Sequence, residues 1–575
     1  MINNLSEFLG CGKTALIQFL CQRILSDEMF VFRIHAGVTN DQIVDKMNEY
    51  TEKARNLLNT DENKRVWVFF DEFNTTPNIG LLKEIVCDRT LLGESLPENM
   101  VFLGACNPLR RQTKTKGLQS TASVKRYSSK MQHQIYGETL PLLHSVVPIP
   151  ETMLEHVWDY GHLDKEIEKK YIETMLNACK LSLENKKWLR HLVIMISESQ
   201  DYIRRCEDVS SVSLRDVSRF CRFYKQFYET SDAIEENTEA VTTKTFNRIE
   251  RASLLALFLC YYFRLNSADK RTEYLNLIAK YIEKYNSEKP FGQLDAMLQE
   301  EKAKLIKRMK LPPGTAANRA LTDNIFVLYT CILNRIPVIL CGKPGCSKTS
   351  AVQIVISNLR GKNSEDSVLK SKSELIAISY QGSQNCTSDS ILKVFERADR
   401  YANKNKQTNL LPVIVFDEIG LAELSPHNPL KVLHSELEVE TCRHAFVGLS
   451  NWRLDASKMN RAVYLACPEP NFEDLKVTAT TLAQSMAAEV NQANPLDETT
   501  VEALARVYED VCACIEKDRN QQYFGLRDYY SLIKGIVRDL LQSEDKEANL
   551  YRIVRHHLSC NFDDIIDGSE FMWKR

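Results

Sequence analysis

The sequence predicts an α/β fold with two parallel-sheet domains in tandem, each followed by a helical region. Three observations support this prediction. Short apolar runs of about five residues alternate with segments of helical periodicity, a pattern typical of βαβ units. One ordered set of motifs occurs twice along the chain, which indicates a duplicated domain. A long stretch without strand signals follows each set.

The apolar runs predict buried parallel strands, because strands covered on both faces are apolar along their whole length. In the first half the runs are residues 66–70 and 100–103. In the second half they are residues 375–379, 413–416 and 445–449. Strands that alternate with helices in this way predict a doubly wound sheet in each half.

Composition and charge restrict the classes of function. The chain has 575 residues, of which 44% are apolar, and a formal net charge of −2. This length predicts roughly three to five domains, and a charge near zero gives no indication of nucleic acid as a partner. The most apolar stretch, residues 253–263, is too short to span a bilayer. We therefore expect no transmembrane segment, no nucleic-acid partner and a cytoplasmic location.

A phosphate-binding loop (Walker A) is predicted in the second half. Gly342 and Gly345 leave room for phosphate oxygens to reach backbone N–H groups. Lys348 supplies a positive charge for the phosphates, and the hydroxyl of Thr349 is a ligand for Mg²⁺. Ser347 replaces the usual last glycine of the motif, which is a mild departure.

The first half has a less regular phosphate loop. Gly10, Gly12, Lys13 and Thr14 occupy the corresponding positions, but Glu7 stands where the motif has its first glycine. No strong apolar strand precedes Gly10. Either the sequence begins inside this domain or the first site is degraded, so ATP binding there is less well supported.

An acidic pair (Walker B) follows an apolar run in each half: Asp71-Glu72 and Asp417-Glu418. The aspartates Asp71 and Asp417 are predicted to hold Mg²⁺, together with the loop hydroxyls. The glutamates Glu72 and Glu418 are predicted to accept a proton from the attacking water.

An asparagine ends the next apolar run in each half. Asn107 lies 36 residues after Asp71, and Asn451 lies 34 residues after Asp417. Because the spacing is matched, we interpret both as amides that orient the attacking water rather than as turn formers.

Three arginines complete the candidate sites. Arg215 and Arg527 lie in a repeated Leu-Arg-Asp sequence, from which they could reach nucleotide phosphates. The alternative is a helix cap with an ion pair. Arg461 lies ten residues after Asn451, a place from which an arginine could reach a neighbouring domain's ATP. In that case Arg461 would complete the first site beside Glu72.

These motifs predict four regions. Residues 1–150 form a first α/β nucleotide domain that is incomplete at its N-terminal end, and residues 151–310 form its helical lid and a linker. Residues 311–470 form a second α/β nucleotide domain, and residues 471–575 form its helical lid.

Further segments carry a family resemblance. In the first half they are Asp71-Glu72-Phe73-Asn74-Thr75, Cys87-Asp88-Arg89, Ala105-Cys106-Asn107-Pro108 and Trp158-Asp159-Tyr160-Gly161. In the second half they are Asn324-Ile325-Phe326, Ser379-Tyr380-Gln381-Gly382-Ser383 and Leu449-Ser450-Asn451-Trp452. With the ATPase motifs, these segments resemble the AAA+ superfamily and, more closely, the mysterin family of giant RING-finger ubiquitin ligases.

The resemblance implies two adjacent ATPase-competent AAA+ modules of a single-chain ring of six, with ATP and Mg²⁺ as cofactors. It also implies ATP-regulated ubiquitin transfer and an association with lipid droplets. The implied partners are the other AAA+ modules of the ring, and ubiquitin-conjugating machinery bound through regions absent from this sequence. No Cys-x-x-Cys pair is present, so no RING module is expected and no residue is assigned to ubiquitin transfer.

We therefore predict Mg²⁺-dependent ATP binding and hydrolysis by tandem AAA+ modules that regulate a larger ubiquitin ligase. Two alternatives remain open. One is a dynein-like or midasin-like mechanochemical remodeller, although the sequence shows no long heptad-patterned stalk. The other is a scaffold that binds ATP without hydrolysing it.

Overall fold

The structure is a computed structural model, and it describes both predicted sheets. The described residues are 13–34, 38–59, 64–106, 147–157, 164–179, 186–207, 211–235, 246–285, 292–404, 409–426, 428–437, 444–517, 525–543 and 545–566.

The first module is built on a parallel sheet of three strands in the described residues. In chain order its elements are α1 (Lys13–Gln18, continued as a π-helix over Phe19–Leu25), β1 (Glu28–Arg33), α2 (Asn40–Leu58), β2 (Val66–Asp71), α3 (Ile79–Lys83, continued as a π-helix over Glu84–Asp88), a hairpin of β3 (Thr90–Leu91) and β4 (Glu94–Ser95), and β5 (Met100–Gly104). The strand order is β1-β2-β5. Val66 and Val68 of the central strand are completely buried, as expected for an apolar run covered on both faces.

A helical region follows the first sheet. Its helices are α4 (Glu151–Leu154), α5 (Lys165–Ala178), α6 (Lys186–Cys206), α7 (Leu214–Glu235), α8 (Arg248–Leu257, continued as a π-helix over Phe258–Tyr262), α9 (Ala268–Tyr285) and α10 (Gly292–Lys307). One hydrophobic core cluster joins Trp188 and Phe258 of this region to Val338 and Val447 of the second sheet. The helical region therefore packs against the second module.

The second module contains a parallel sheet of five strands in the order β10-β6-β9-β8-β7. In chain order its elements are α11 (Arg319–Leu333), β6 (Val338–Cys341), α12 (Lys348–Asn358), α13 (Ser367–Lys370), β7 (Glu374–Gln381), α14 (Ser388–Lys404), β8 (Leu410–Asp417), α15 (Ile419–Glu423), a 3₁₀ segment over Pro429–Val432, α16 (Leu433–Glu436), β9 (Ala445–Ser450), α17 (Ala456–Met459) and β10 (Val463–Ala466). Four helices follow: α18 (Phe472–Glu489), α19 (Glu498–Lys517), α20 (Leu526–Gln542) and α21 (Lys546–Ile566).

The strand predictions are confirmed. All five predicted apolar runs lie within β2, β5, β7, β8 and β9. By chain order, β1, β2 and β5 correspond to β7, β8 and β9, so the described part of the first sheet has no counterpart of β6 or β10. The predicted weakness of the strand before the first phosphate loop concerns residues outside the described range, and the domain boundaries stay predictions.

A buried ion triad connects the helical region to the second module. Asp323 of α11 accepts hydrogen bonds from Arg271 (2.7 Å) and Lys302 (2.8 Å), and all three side chains are buried. Arg271 also donates to the backbone oxygen of Ala466 at the end of β10, at 3.1 Å. Burial opposes ionisation of Asp323, but Lys302 and Arg271 hold the pKa of its carboxyl below its usual value. The triad therefore fixes α9 and α10 against α11.

No helix in the described ranges is long and apolar enough to cross a membrane. These same residues contain no cluster of three or more histidine, cysteine or acidic side chains that could bind a metal ion.

Removal of the Asp323 charge should destabilise the chain. We expect Asp323→Asn to lower the free energy of unfolding by about 3–5 kcal/mol, because Arg271 and Lys302 would remain buried without a counter-charge. Equilibrium urea unfolding measures this change. Glu365→Gln is the control, since it breaks the exposed Lys310–Glu365 pair and should change stability by less than about 0.5 kcal/mol. Equal effects of the two variants would contradict a structural role for the triad.

Candidate functional site

The second phosphate loop connects β6 to α12 and is held closely on two sides. A Cβ on Gly342 would lie 2.6 Å from the Cβ of Cys467, which follows β10. Gly345 has φ +93°, and a Cβ there would lie 2.7 Å from the Cβ of Leu526 in α20. Both glycines are therefore required by close packing, and Gly345 also by its backbone conformation.

Ser347 stands where the motif usually has its last glycine, and its backbone conformation is one that favours glycine. Its backbone is left-handed, with φ 55°, a conformation that glycine adopts without steric cost. The usual glycine at this position therefore relieves strain, and Ser347 tolerates the same turn at the start of α12.

A chain of three side chains joins the phosphate loop to the acidic pair of the second module. The buried ammonium of Lys348 donates to the backbone oxygens of Gly342 (2.6 Å) and Lys343 (3.0 Å) and to Oδ1 of Asn451 (3.0 Å). Nδ2 of Asn451 donates to both carboxylate oxygens of Glu418, at 2.9 and 3.0 Å. The structure thus brings Lys348, Asn451 and Glu418 together at the ends of β9 and β8.

Two candidate metal ligands are placed at the same edge of the sheet. Asp417 ends β8 and is half-buried, and its Oδ1 accepts a hydrogen bond from the backbone N–H of Glu418 at 2.9 Å. Thr349 lies in the first turn of α12 with its side chain exposed. A carboxylate and a hydroxyl are oxygen ligands of the kind that Mg²⁺ prefers, so this set of donors fits that ion.

The lid helix α20 begins beside the second phosphate loop. The hydroxyl of Tyr530 donates to the backbone oxygen of Gly345 at 3.1 Å. Arg527, the second residue of α20, has an exposed side chain, and its backbone nitrogen would lie 3.5 Å from a Cβ on Gly345. The predicted lid arginine is therefore adjacent to the loop.

The described residues of the first module include its acidic pair but only part of its phosphate loop. Glu7, Gly10, Gly12 and Asn107 lie outside the described residues. Lys13 and Thr14 begin α1, although the description does not extend to their side chains. Ile17 of α1 packs with Phe69 of β2 and Leu103 of β5, so α1 lies on the sheet whose central strand ends at Asp71.

The two glutamates have the same backbone conformation but different partners. Glu72 has φ 53° and ψ 40°, and Glu418 has φ 49° and ψ 41°. Glu418 contacts Asn451 of its own module, whereas the carboxylate of Glu72 contacts the second module. Arg461 Nη2 lies 2.9 Å from Oε1 of Glu72, and His434 Nδ1 lies 2.7 Å from Oε2. Lys431 Nζ is 3.6 Å from Oε2.

These partners keep Glu72 ionised. Burial opposes the charge, but His434, Lys431 and Arg461 hold the pKa of the Glu72 carboxyl well below its usual range. Burial, reinforced by Arg461, lowers the pKa of His434 to about 3. The ring is therefore neutral at pH 7 and donates its Nδ1 proton, because a carboxylate can only accept.

The first lid lies against the segment that carries Arg461. Arg219 of α7 donates to Oδ1 of Asp216 (2.8 Å) and to the backbone oxygen of Asn460 (2.7 Å), the residue before Arg461. Arg215, the predicted lid arginine, is half-buried in the first turn of α7, and its backbone N–H donates to Ser213 Oγ at 3.3 Å. The lid of the first module therefore packs against the second module near Arg461.

Three side chains of this interface are absent from the sequence prediction: Lys431, His434 and Arg219. None belongs to an ATPase motif. A weak signal exists for Lys431, because a Leu-Lys pair follows the acidic pair in both halves, as Leu82-Lys83 and Leu430-Lys431. No sequence signal identifies His434 or Arg219.

Comparison with known proteins gives two matching domains. Residues 314–474 and residues 5–110 each match a family described as "RNF213 AAA domain". The chain is 32% identical over 569 residues to the E3 ubiquitin-protein ligase rnf213-beta of Danio rerio. It is 31% identical over 573 residues to the E3 ubiquitin-protein ligase RNF213 of Homo sapiens. Each alignment covers 94% of this chain and 11% of the relative, so the chain spans about a tenth of the length of these proteins.

Among solved structures, a single-substitution variant of RuvB from Thermotoga maritima is 14% identical, with a TM-score of 0.28 over 43% of this chain and 70% of that protein. A likeness of this size does not bear on function.

Substitution at Gly345 tests the packing of the second loop. We expect Gly345→Ala to lower the free energy of unfolding by about 1–3 kcal/mol, because the new Cβ would clash with Leu526 and the left-handed backbone would be strained. Thermal unfolding measures the change. Gly80→Ala is the matched control, since a Cβ there meets nothing within 4 Å. Unfolding of both variants at one temperature would show that the loop is not confined by α20.

Proposed function

Because this chain contains two AAA domains of the RNF213 type, we propose that it binds ATP with Mg²⁺ and hydrolyses it, as part of a larger ubiquitin ligase. The observation that carries the proposal is the chain of hydrogen bonds from Lys348 through Asn451 to Glu418. It places a loop cation, an amide and a carboxylate at one edge of a parallel sheet, where α/β proteins bind their ligands.

The second loop fits a nucleotide. Gly342 and Gly345 carry no side chains that would obstruct a phosphate, and α12 points its N-terminal end at the same place, which favours a phosphate. Lys348 is already buried within the loop and bonded to its backbone oxygens, so its charge is positioned for the β- and γ-phosphates. Arg527 would approach these phosphates from the lid.

Thr349 and Asp417 would hold Mg²⁺, which when bound neutralises charge on the phosphate oxygens. Glu418, which is half-buried, would accept a proton from the attacking water. Asn451 is bonded to both Lys348 and Glu418, so the amide would orient this water relative to the phosphates.

The first module would hold a second nucleotide with the same set of groups. Lys13 and Thr14 would serve the phosphates and Mg²⁺, with Gly10 and Gly12 in the loop, Asp71 as a further metal ligand and Asn107 as the amide. Arg461 would act on this nucleotide from the second module, a proposal supported by its 2.9 Å contact with Glu72. Arg215 would contribute from the lid.

ATP would then favour one relative orientation of the modules, and hydrolysis would release it. Such coupling requires that the nucleotide binds the two orientations with different affinity. The contacts that Arg219 and Glu72 make with the second module could be formed in one orientation and broken in the other.

We also propose a role for this chain in the activity of a larger protein. The name "E3 ubiquitin-protein ligase" belongs to the matched relatives, and we propose that this chain regulates such an activity through ATP. Its partners would be further AAA+ modules of one ring and ubiquitin-conjugating machinery outside this sequence. We propose a cytoplasmic location with association with lipid droplets.

One observation favours a different function for the first module alone. Its candidate base Glu72 is only 12% exposed and its carboxylate is held by Arg461 and His434, so in this arrangement it is not free to accept a proton. The first module would then bind ATP as a scaffold without hydrolysing it.

Removal of the Glu418 carboxylate tests catalysis at the second site. In a chain whose first site is disabled by Lys13→Ala, we expect Glu418→Gln to slow phosphate release about 100-fold or more, because a general base is lost. The affinity for ATP should stay within about threefold, because the amide keeps the size of the side chain.

Phosphate release and ATP binding are measured on the same samples. Glu396→Gln is the control, because it removes an exposed carboxylate on α14 and should leave both quantities unchanged. Normal turnover by Glu418→Gln would refute the assignment of the base. Retention of ATP by all variants without any phosphate release would favour the scaffold.

A further inference from the structure

Lys431 is a buried cation, and packing alone does not explain its position. Its side chain has no solvent exposure, and in the part of the chain that the structure describes its ammonium has no hydrogen-bond partner. The nearest counter-charge is Oε2 of Glu72, at 3.6 Å. An ammonium has three protons to donate, so the Glu72 contact leaves this group poorly satisfied.

Burial of an ammonium without hydrogen bonds is unfavourable, and an apolar side chain of similar volume would fill the same space without that cost. A fold that needed only packing at position 431 would therefore be served better by methionine. The charge indicates that an anion occupies this place in another state of the protein.

The surroundings identify the anion. Glu72 follows Asp71 at the carboxyl end of β2, the edge at which the first module would hold the terminal phosphate. Lys431 comes from the 3₁₀ segment of the second module and Arg461 from the chain after α17. These two basic side chains converge on one carboxylate, which leaves positive charge that a phosphate group would match better.

We propose that Lys431 is a phosphate ligand for the nucleotide of the first module, contributed by the second module beside Arg461. The Glu72 carboxylate occupies the place of the terminal phosphate in the structure described here. When ATP binds, its γ-phosphate takes over Lys431 and Arg461, and Glu72 is released to face water. This inference rests on the proposed binding of ATP by the first module.

The duplicated sequence provides a matched comparison. Leu82-Lys83 follows the acidic pair of the first module as Leu430-Lys431 follows that of the second. Lys83 is partly exposed and pairs with Asp88 of its own module at 2.7 Å. Lys83 thus forms its ion pair within its own module, and Lys83→Met removes the equivalent charge without the proposed ligand role.

The test measures equilibrium affinities for ATP and ADP in the full 575-residue chain, by displacement of a fluorescent nucleotide. Lys348→Ala disables the second site, so the remaining binding reports the first site. In this background we expect Lys431→Met to weaken ATP binding about tenfold or more and ADP binding by less than about twofold, because only ATP carries the γ-phosphate.

Two variants complete the comparison. Lys431→Arg keeps the charge and should retain ATP affinity within about threefold of the background. Lys83→Met should leave both affinities unchanged. If Lys431→Met lowers the unfolding temperature markedly, Lys431→Gln replaces it in the same measurements, because glutamine is polar but uncharged.

The outcomes separate the inference from the proposed function. Absence of ATP binding in the Lys348→Ala background would overturn ATP binding by the first module, and the role of Lys431 with it. Unchanged ATP affinity in Lys431→Met, or equal losses for ATP and ADP, would overturn only the role of Lys431 as a ligand of the terminal phosphate. Loss of affinity in Lys83→Met as well would show a nonspecific effect of charge and would also overturn it.

Discussion

The carboxylate of Glu72, which is largely removed from water at 12% exposure, is the constraint on which the contact between the two modules depends. A carboxylate removed from water must be paired and hydrogen-bonded, and Glu72 finds its partners in another module. Arg461, His434 and Lys431 all come from the second module. These contacts therefore fix the end of the first sheet against the second module, and the proposed phosphate site would use the same basic side chains.

The two copies of the acidic pair share one local structure but have different side-chain partners. Glu72 and Glu418 share a left-handed backbone at the end of a parallel strand, so the duplicated sequence sets the same local geometry. Their side chains differ in what lies within reach. Glu418 contacts the amide of Asn451, which also contacts Lys348, whereas Glu72 meets basic side chains across an interface. The partner of Glu418 thus comes from its own module, and those of Glu72 come from the other module.

The helical region is joined to the second module by hydrogen bonds between largely buried polar groups. Arg219 holds the backbone beside Arg461. Glu207 accepts hydrogen bonds from Arg264 (3.0 Å) and from Arg453 (2.8 Å), which lies two residues after Asn451. The segments that carry Arg461 and Arg453 are therefore both bonded to the same helical region. Buried charged pairs resist small displacements because an unpaired partner is costly.

Local patterns along the chain were enough to predict the elements that depend on neighbouring residues. Continuous apolar runs predicted β2, β5, β7, β8 and β9 because burial on both faces leaves no polar position in a strand. Glycine spacing predicted the loop before Lys348, since at Gly342 and Gly345 a Cβ would collide with neighbouring side chains. The acidic pairs and Asn451 could be located from their distance along the chain.

Which of these groups meet depends on how the folded chain packs. Glu72 and His434 are 362 residues apart in sequence, and no periodicity relates them. Arg461 could be placed near Glu72 from the duplicated order of the motifs, but Lys431 and Arg219 could not be assigned to the interface. Their positions depend on how the helical region and the second sheet share one hydrophobic core. That packing is a property of the whole chain, because contacts between distant residues are set by the joint burial of many side chains and not by any local pattern.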